Sequence, residues 1–417
     1  MVIAVLAVVR IARRDSQQNF LQQLFNRDKT PSSLTTTTAV GDVPPEYKAL
    51  YDKIDGKLTS FNRKLSSEWS GNKSSVIFSA TLAPTNPNLG DTLLSAETYN
   101  SAITYVDRLQ QLGVRAITID INFPLLDPDF RGPEKSAQYL EFYKKLVGEI
   151  KNRGLSVTIE IQPIFPDFSP LPVKKYYDTL TVETYKQRAA QMNKTVALEL
   201  RPAYLTVANE PETAARNLSL PVGNIETAVD EVKYILSELD KLGLDNIKYG
   251  AGFGNWQADY QNWAQRYTQL PNLDFLNIHI YPVDGDLLNR ILTIDDIAKK
   301  YGKRLAVHEA WLYKWQIGER TGNMAASAGT FAKDSYSFWQ PLDAKFMETL
   351  YLLGESRNFE YVSPFWSNFF FGYFDYNEVK NISGTKMMGN MISAGSTAAK
   401  QGKITETGRK YQTLISK

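Results

Sequence analysis

Residues 204–211 read Tyr204-Leu205-Thr206-Val207-Ala208-Asn209-Glu210-Pro211. An apolar, β-branched run ends at Asn209 and Glu210, and a proline, suited to the first turn of a helix, follows at once. The stretch reads as a strand that delivers a carboxylate at its end and then turns into a helix. The pattern returns at Leu305-Ala306-Val307-His308-Glu309-Ala310, where a second β-branched run ends in Glu309.

Outward from these two junctions, strand-like runs alternate with helical ones from about Ser74 onward. Eight candidate strands fall at 76–81, 116–121, 157–161, 204–208, 247–251, 275–280, 304–308 and 361–366. They are short and rich in Val, Ile, Leu and aromatics, as parallel strands covered on both faces must be. Between them lie amphipathic stretches. One is the stripe Val229, Val232, Ile235, Leu236 and Leu239 with Gly243 as its stop, and another runs over 133–153 with Pro133 at its start. Eight such units point to an α/β fold, a single closed (β/α)8 barrel, rather than an open doubly wound sheet. Segments 385–400 and 405–416 are expected to close it, and 47–69 to form one amphipathic helix ahead of it.

The first nine residues are wholly apolar and precede Arg10, Arg13 and Arg14. As a helix they reach only ~14 Å, short of the roughly 30 Å of a bilayer core. The charge also follows the apolar run, the reverse of an export signal. Residues 1–45 are expected to be the remnant of an export signal or membrane anchor plus a flexible Thr/Pro-rich tether, with residues 46–417 as one catalytic barrel. An extracellular or outward-facing, membrane-anchored location goes with that expectation, and the anchor would be the only link to a membrane.

Composition removes several classes of function. With Lys+Arg 47 against Asp+Glu 45 the net charge is +2, which gives nucleic acid or an anionic membrane no electrostatic hold. Cysteine is absent and histidine occurs only as His279 and His308, so neither a thiolate site nor a multi-imidazole metal centre is expected, and no cofactor is called for. Gly250-Ala251-Gly252-Phe253-Gly254 looks like a dinucleotide loop, but its spacing fails and it lies on a candidate strand. The four Asn-x-Ser/Thr strings, beginning at Asn72, Asn193, Asn217 and Asn381, are no more than chance allows. Aromatics make up 12% of the chain, which fits either a large core or a cleft in which sugar rings stack.

In a barrel of this kind the chemistry gathers at the C-terminal ends of the strands. Those ends carry Asn209 and Glu210, then Asn255 and Trp256, His279 and Tyr281, Glu309 and Trp311, and Trp366 and Asn368. Two carboxylates facing each other are what glycosidic cleavage needs: one protonates the leaving oxygen and the other attacks the anomeric carbon. Loops 84–91, 123–133 and 163–172, rich in Pro, Asp and Asn, are expected to wall a cleft above them.

The ordered set Asn209-Glu210-Pro211, His279-Ile280-Tyr281, Glu309 and Trp366 resembles clan A of the glycoside hydrolases, in particular endo-glycanases of the family 5 and family 53 type, over about residues 74 to 417. The resemblance implies a retaining hydrolase of a β-linked glycan, most simply an endo-acting enzyme on a β-1,4-linked glucan, mannan or galactan. It implies Glu210 as general acid/base with a raised pKa, and Glu309 as a nucleophile kept ionised beside Tyr281. Asn209 would hold the sugar 2-hydroxyl and Trp366 would floor the subsite. For His279 a contact to a hydroxyl or carboxylate stands beside the role of a satisfied core histidine. Trp256 and Trp311 are stacking platforms or core, and Asn255 and Asn368 are further candidates for substrate contact. Trp263 and Trp315 lie in following loops, at an outer subsite or in surface packing. His308, one residue before Glu309, should by strand alternation point away from it.

The sequence departs from the clan pattern twice. The arginine that the clan carries near the end of strand two has no counterpart, since Arg115 comes early and Thr118 stands near the expected place. Gln162 follows strand three where a histidine is usual. An exo-acting β-glycosidase or transglycosylase, and a carbohydrate-binding barrel without chemistry, therefore remain alternatives. An aldolase or phosphate-handling barrel is disfavoured, because neither a lysine nor a Gly-rich loop stands at the last strands.

Overall fold

The computed structural model describes residues 34–315 and 327–416. The apolar segment 1–9, its arginines and the first residues of the expected tether lie outside the described residues. Eight parallel strands close into a barrel: β1 (Ile77–Thr81), β2 (Ala116–Asp120), β3 (Ser156–Glu160), β4 (Tyr204–Thr206), β5 (Lys248–Gly254), β6 (Phe275–Ile280), β7 (Arg304–Ala310) and β8 (Tyr361–Pro364). Closure is made by β1 against β8, with Ile77 opposite Tyr361 and Phe78 opposite Val362.

Alternation along β2 shows how the barrel is built. Ile117 and Ile119 join the large apolar cluster shared with the surrounding helices, whereas Thr118 turns inward. The Thr118 hydroxyl is 2.7 Å from that of Ser79 and 2.8 Å from that of Thr158, a polar layer across three adjacent strands. Below it Tyr204, Phe275, Ala306 and Tyr361 plug the barrel. Strand β5 makes room for this filling. A Cβ on Gly250 would come within 2.2 Å of the Phe275 ring, and one on Gly252 within 1.9 Å of the Asn277 carbonyl oxygen. The glycine alternation there makes room for the Phe275 ring and the Asn277 backbone.

The helix expected over 47–69 is Pro45–Glu68, and it lays Ile54, Leu58, Phe61 and Leu65 on the helix Gln340–Arg357. The latter also carries Glu406–Ile415 and is covered on nearly every side, so its buried residues, Gln340, Asp343, Thr349 and Glu355 among them, lie all round it rather than on one stripe. The part of the expected tether that can be described is docked against the barrel. Thr37 pairs with Tyr373 through backbone bonds of 2.7 and 3.0 Å, and Gln340 Nε2 donates to the Ala39 carbonyl at 2.9 Å. Backbone groups satisfied this way fix the segment despite its run of threonines. Among the described residues no helix is long and apolar enough to cross a membrane.

Candidate active site

Glu210 is delivered as the sequence reading anticipates, by the turn from β4 into the helix Pro211–Leu218. Its backbone is left-handed (φ 44°), unusual for a residue with a side chain and strained. The carboxylate borders a cleft of about 540 Å³ that also takes in Glu309. Glu309 is held by two donors, Tyr281 Oη to Oε2 at 2.6 Å and Gln162 Nε2 to Oε1 at 3.2 Å. Gln162, a departure from the clan pattern, thus faces the second carboxylate directly.

His279 joins the two. Its Nδ1 lies 2.9 Å from Glu210 Oε1 and 3.5 Å from Glu309 Oε2, so those oxygens are at most 6.4 Å apart, the sum of the two distances. Retaining glycosidases hold their carboxyls about 5–5.5 Å apart and inverting ones roughly 6.5–9.5 Å. On the far side of the ring, Nε2 lies 3.2 Å from Glu160 Oε2. Glu160 ends β3, is fully buried, and also accepts from Asn209 Nδ2 at 2.9 Å and Asn277 Nδ2 at 2.8 Å.

The electrostatics differ from the expectation. Burial pushes the Glu309 carboxyl well above the ordinary carboxylate range; His279 opposes this, but Asp120, Glu160 and Glu210 reinforce it. Among the described residues no guanidinium stands beside Glu309 to offset these acids. Burial works against a charge on His279, yet Glu160 and Glu309 outweigh it and raise its pKa well above the usual imidazole range. Glu160 is likewise held below its ordinary value, with His279 and His308 overcoming the cost of burial. Glu212, two residues beyond Glu210, is pushed up to about 7 by burial and by the charge of Glu210. It accepts from Trp256 Nε1 at 3.0 Å and from Gln257 Nε2.

Of the remaining expected residues, Tyr281, Trp256 and Trp366 line the cleft. Asn209 does not reach it: its amide is turned down onto Glu160, and its Oδ1 accepts from the Glu210 backbone N–H at 2.9 Å. His279 is wholly buried beneath the carboxylates. Three candidates belong to the framework instead. Trp311 is buried against Phe369 and Phe370, Asn255 donates to the Leu287 carbonyl at 3.0 Å, and Asn368 is enclosed against Gly395. Beyond the last inward residue of a strand the alternation rule no longer applies, and these three follow such ends.

His308 also departs from expectation. Ile278 pairs with Val307 but His279 pairs with Glu309, so one residue of β7 is bulged out of the ladder. Both His308 and Glu309 consequently face the barrel interior. The freed His308 N–H donates to Asn277 Oδ1 at 3.0 Å, and the ring bridges Tyr361 Oη at 3.0 Å and Asp120 Oδ1 at 3.2 Å.

The cleft wall is only partly the expected one. Residues of 84–91 and 163–172 line it, including Asn86, Asn88, Phe165 and Phe168, but none of 123–133 does. The opposite side comes from the helix Gly384–Lys400, through Met388, Met391 and Ile392. Trp315 lines the cleft too, stacked 4.4 Å from Tyr313, which itself stacks 4.5 Å from Tyr281. Trp263 packs inward on Phe253. Glu160, His279 and Glu309 each bring an atom within 4.8 Å of the others, close enough for a small cation, but all three side chains are already engaged with one another or with neighbours.

No family model and no curated protein matches the sequence. Solved structures share the fold, among them clan A glycoside hydrolases. The chain is similar to GH5_18 from Bifidobacterium longum, at 13% identity over 82% of this chain and 79% of that one, with a TM-score of 0.53. It is similar to GH5_18 from Streptomyces cattleya in complex with GlcNAc, at 13% identity over 83% and 80%, with a TM-score of 0.52. An exo-β-1,4-mannosidase from an Opitutaceae bacterium aligns at 16% identity and a TM-score of 0.47, over 72% of this chain and only 54% of that one. At these identities the likeness is one of fold.

Proposed function

We propose that the protein is a retaining glycoside hydrolase acting on β-linked oligo- or polysaccharide. The observation that carries this is the pair Glu210 and Glu309, set at most 6.4 Å apart across His279 and opening into one cleft. Glu309, with Tyr281 and Gln162 donating to it, is the nucleophile in its ionised form. Its oxygen bonds to the anomeric carbon as the bond to the leaving oxygen breaks and Glu210 gives that oxygen a proton. Water then attacks the same carbon, Glu210 takes its proton, and the bond to Glu309 breaks.

Around this pair the cleft offers both kinds of sugar contact. Asp120, Asn122, Asn86 and Asn88 present hydroxyl-binding groups, while Trp256, Trp366 and Trp315 present ring faces. β-1,4-Linked backbones are the first substrates to try, mannosides among them, because a GH5_18 structure of the same fold is in complex with Manβ1-4GlcNAc. The test is hydrolysis of a panel of β-glucans, mannans, xylans and galactans, with products sized over time. Wild type is expected to turn over at least one of them, and Glu210→Gln and Glu309→Gln to lose that activity. Full activity in both variants would refute the reading. Internal cuts point to endo action, whereas single units released from one end point to the exo-acting alternative.

A further inference from the structure

Glu160 has no part in the reaction as just written, yet it is the most heavily bonded acid of the barrel interior. One oxygen, Oε2, gathers Asn209 Nδ2, Asn277 Nδ2 and His279 Nε2, while Oε1 is buried without a partner. An isolated buried carboxylate is costly, and it persists where a nearby cation balances it. Among the described residues the cationic candidates beside it are the two imidazoles. Of these, His308 is committed to Asp120 and Tyr361, whereas His279 points one nitrogen at Glu160 and the other at the gap between Glu210 and Glu309.

We propose that Glu160 is a positioning residue that keeps His279 as an imidazolium, so that its Nδ1–H stands beneath both reactive carboxylates as the fixed positive charge of the site. The strand-two position at which the resembled clan carries an arginine holds none here, and Arg115 is spent on the Val76 carbonyl at the other end of the barrel. Glu160 meets the same electrostatic need from β3, through an imidazole on β6. With the bare ring, Nε2 would accept from Asn209 Nδ2, 2.5 Å away, and set its lone pair beside a carboxylate oxygen at 3.2 Å. With the charged ring, that contact is a charge-assisted hydrogen bond. The direction of both shifts, Glu160 down and His279 up, agrees. Every described titratable group facing His279 belongs to this account: Glu160 from β3, Glu210 after β4, Tyr281 just after its own strand, and Glu309 and His308 from β7, with Asp120 of β2 behind His308.

The inference rests on the hydrolase reading for its catalytic meaning, but its first test does not. With only two histidines in the chain, ¹⁵N-labelled imidazoles give two resolvable spin systems, assigned with His308→Gln. In wild type His279 should show both nitrogens protonated above the pH at which an ordinary imidazole loses its proton. In Glu160→Gln it should lose one proton within the neutral range, and Glu160→Asp should restore the doubly protonated form. A neutral wild-type ring at pH 7, with bare Nε2 accepting from Asn209 Nδ2 at 2.5 Å, overturns the proposal without needing any variant to fold. In kinetics, Glu160→Gln should lower kcat about a hundred-fold, the lower end for a lost preorganised donor, with KM little changed and the pH profile displaced. An unchanged profile with an unchanged ring also overturns it. If wild type hydrolyses no glycoside but the ring behaves as stated, only the hydrolase reading fails.

Discussion

His279 on β6 pairs with Glu309 on β7 although its neighbour Ile278 pairs with Val307, and this slip of one residue turns two consecutive side chains, His308 and Glu309, into the barrel. A regular strand would have shown only one of them to the interior. The bulge is held by the Asn277 side chain, which accepts the unpaired His308 N–H and donates to Glu160.

Asn277→Leu should therefore destabilise the protein by about 1–3 kcal/mol, the cost of leaving the buried His308 N–H without its acceptor. Urea unfolding measures it. A neutral result would mean that the bulge does not depend on this side chain.

Tyr281→Phe removes the 2.6 Å hydrogen bond to Glu309 and little else. Its kcat should fall about a hundred-fold, as for loss of one preorganised donor, with the thermal midpoint within a few degrees of wild type. Steady-state kinetics beside a melting curve separate the two effects.

The two tryptophans named together in the sequence should behave oppositely. Trp256→Ala opens the cleft beside Tyr281 and should raise KM while sparing stability. Trp311→Ala empties a site with no exposure at all and should cost about 3–5 kcal/mol, with the KM of the surviving folded fraction unchanged.

Asp120 is one of the acids that push the Glu309 pKa up. An ionised Glu309 is required for attack, so the acidic limb of kcat/KM should lie above the ordinary carboxylate value of 4.5. Asp120→Asn removes a repelling charge, favours the anion and should move that limb to lower pH. A limb that stays or rises contradicts the electrostatic account.

These relationships show what a sequence can and cannot tell. The barrel and the two glutamates were readable because strands, helices and their junctions repeat with fixed periods, and because a carboxylate ending an apolar run is conspicuous. Glu160 carries that same signature, in Ser156-Val157-Thr158-Ile159-Glu160, as does Asp120, in Ala116-Ile117-Thr118-Ile119-Asp120, and reading every strand end alike would have found both. The bulge at His308 leaves no mark, since one residue slipped from a ladder changes no local pattern. Nor does sequence say which way Asn255, Trp311 and Asn368 turn, because beyond a strand the direction of a side chain is set by distant partners. The wall formed by Met388 and Met391 belongs to a helix remote in sequence, and its face toward the cleft follows only from how the chain closes.

The account stands or falls on Glu210 and Glu309 acting as one pair by double displacement. The most direct measurement is the anomeric form of the first product, followed by ¹H NMR during hydrolysis of a β-glycoside. The β anomer appearing first is the result expected, and the α anomer appearing first would contradict the account.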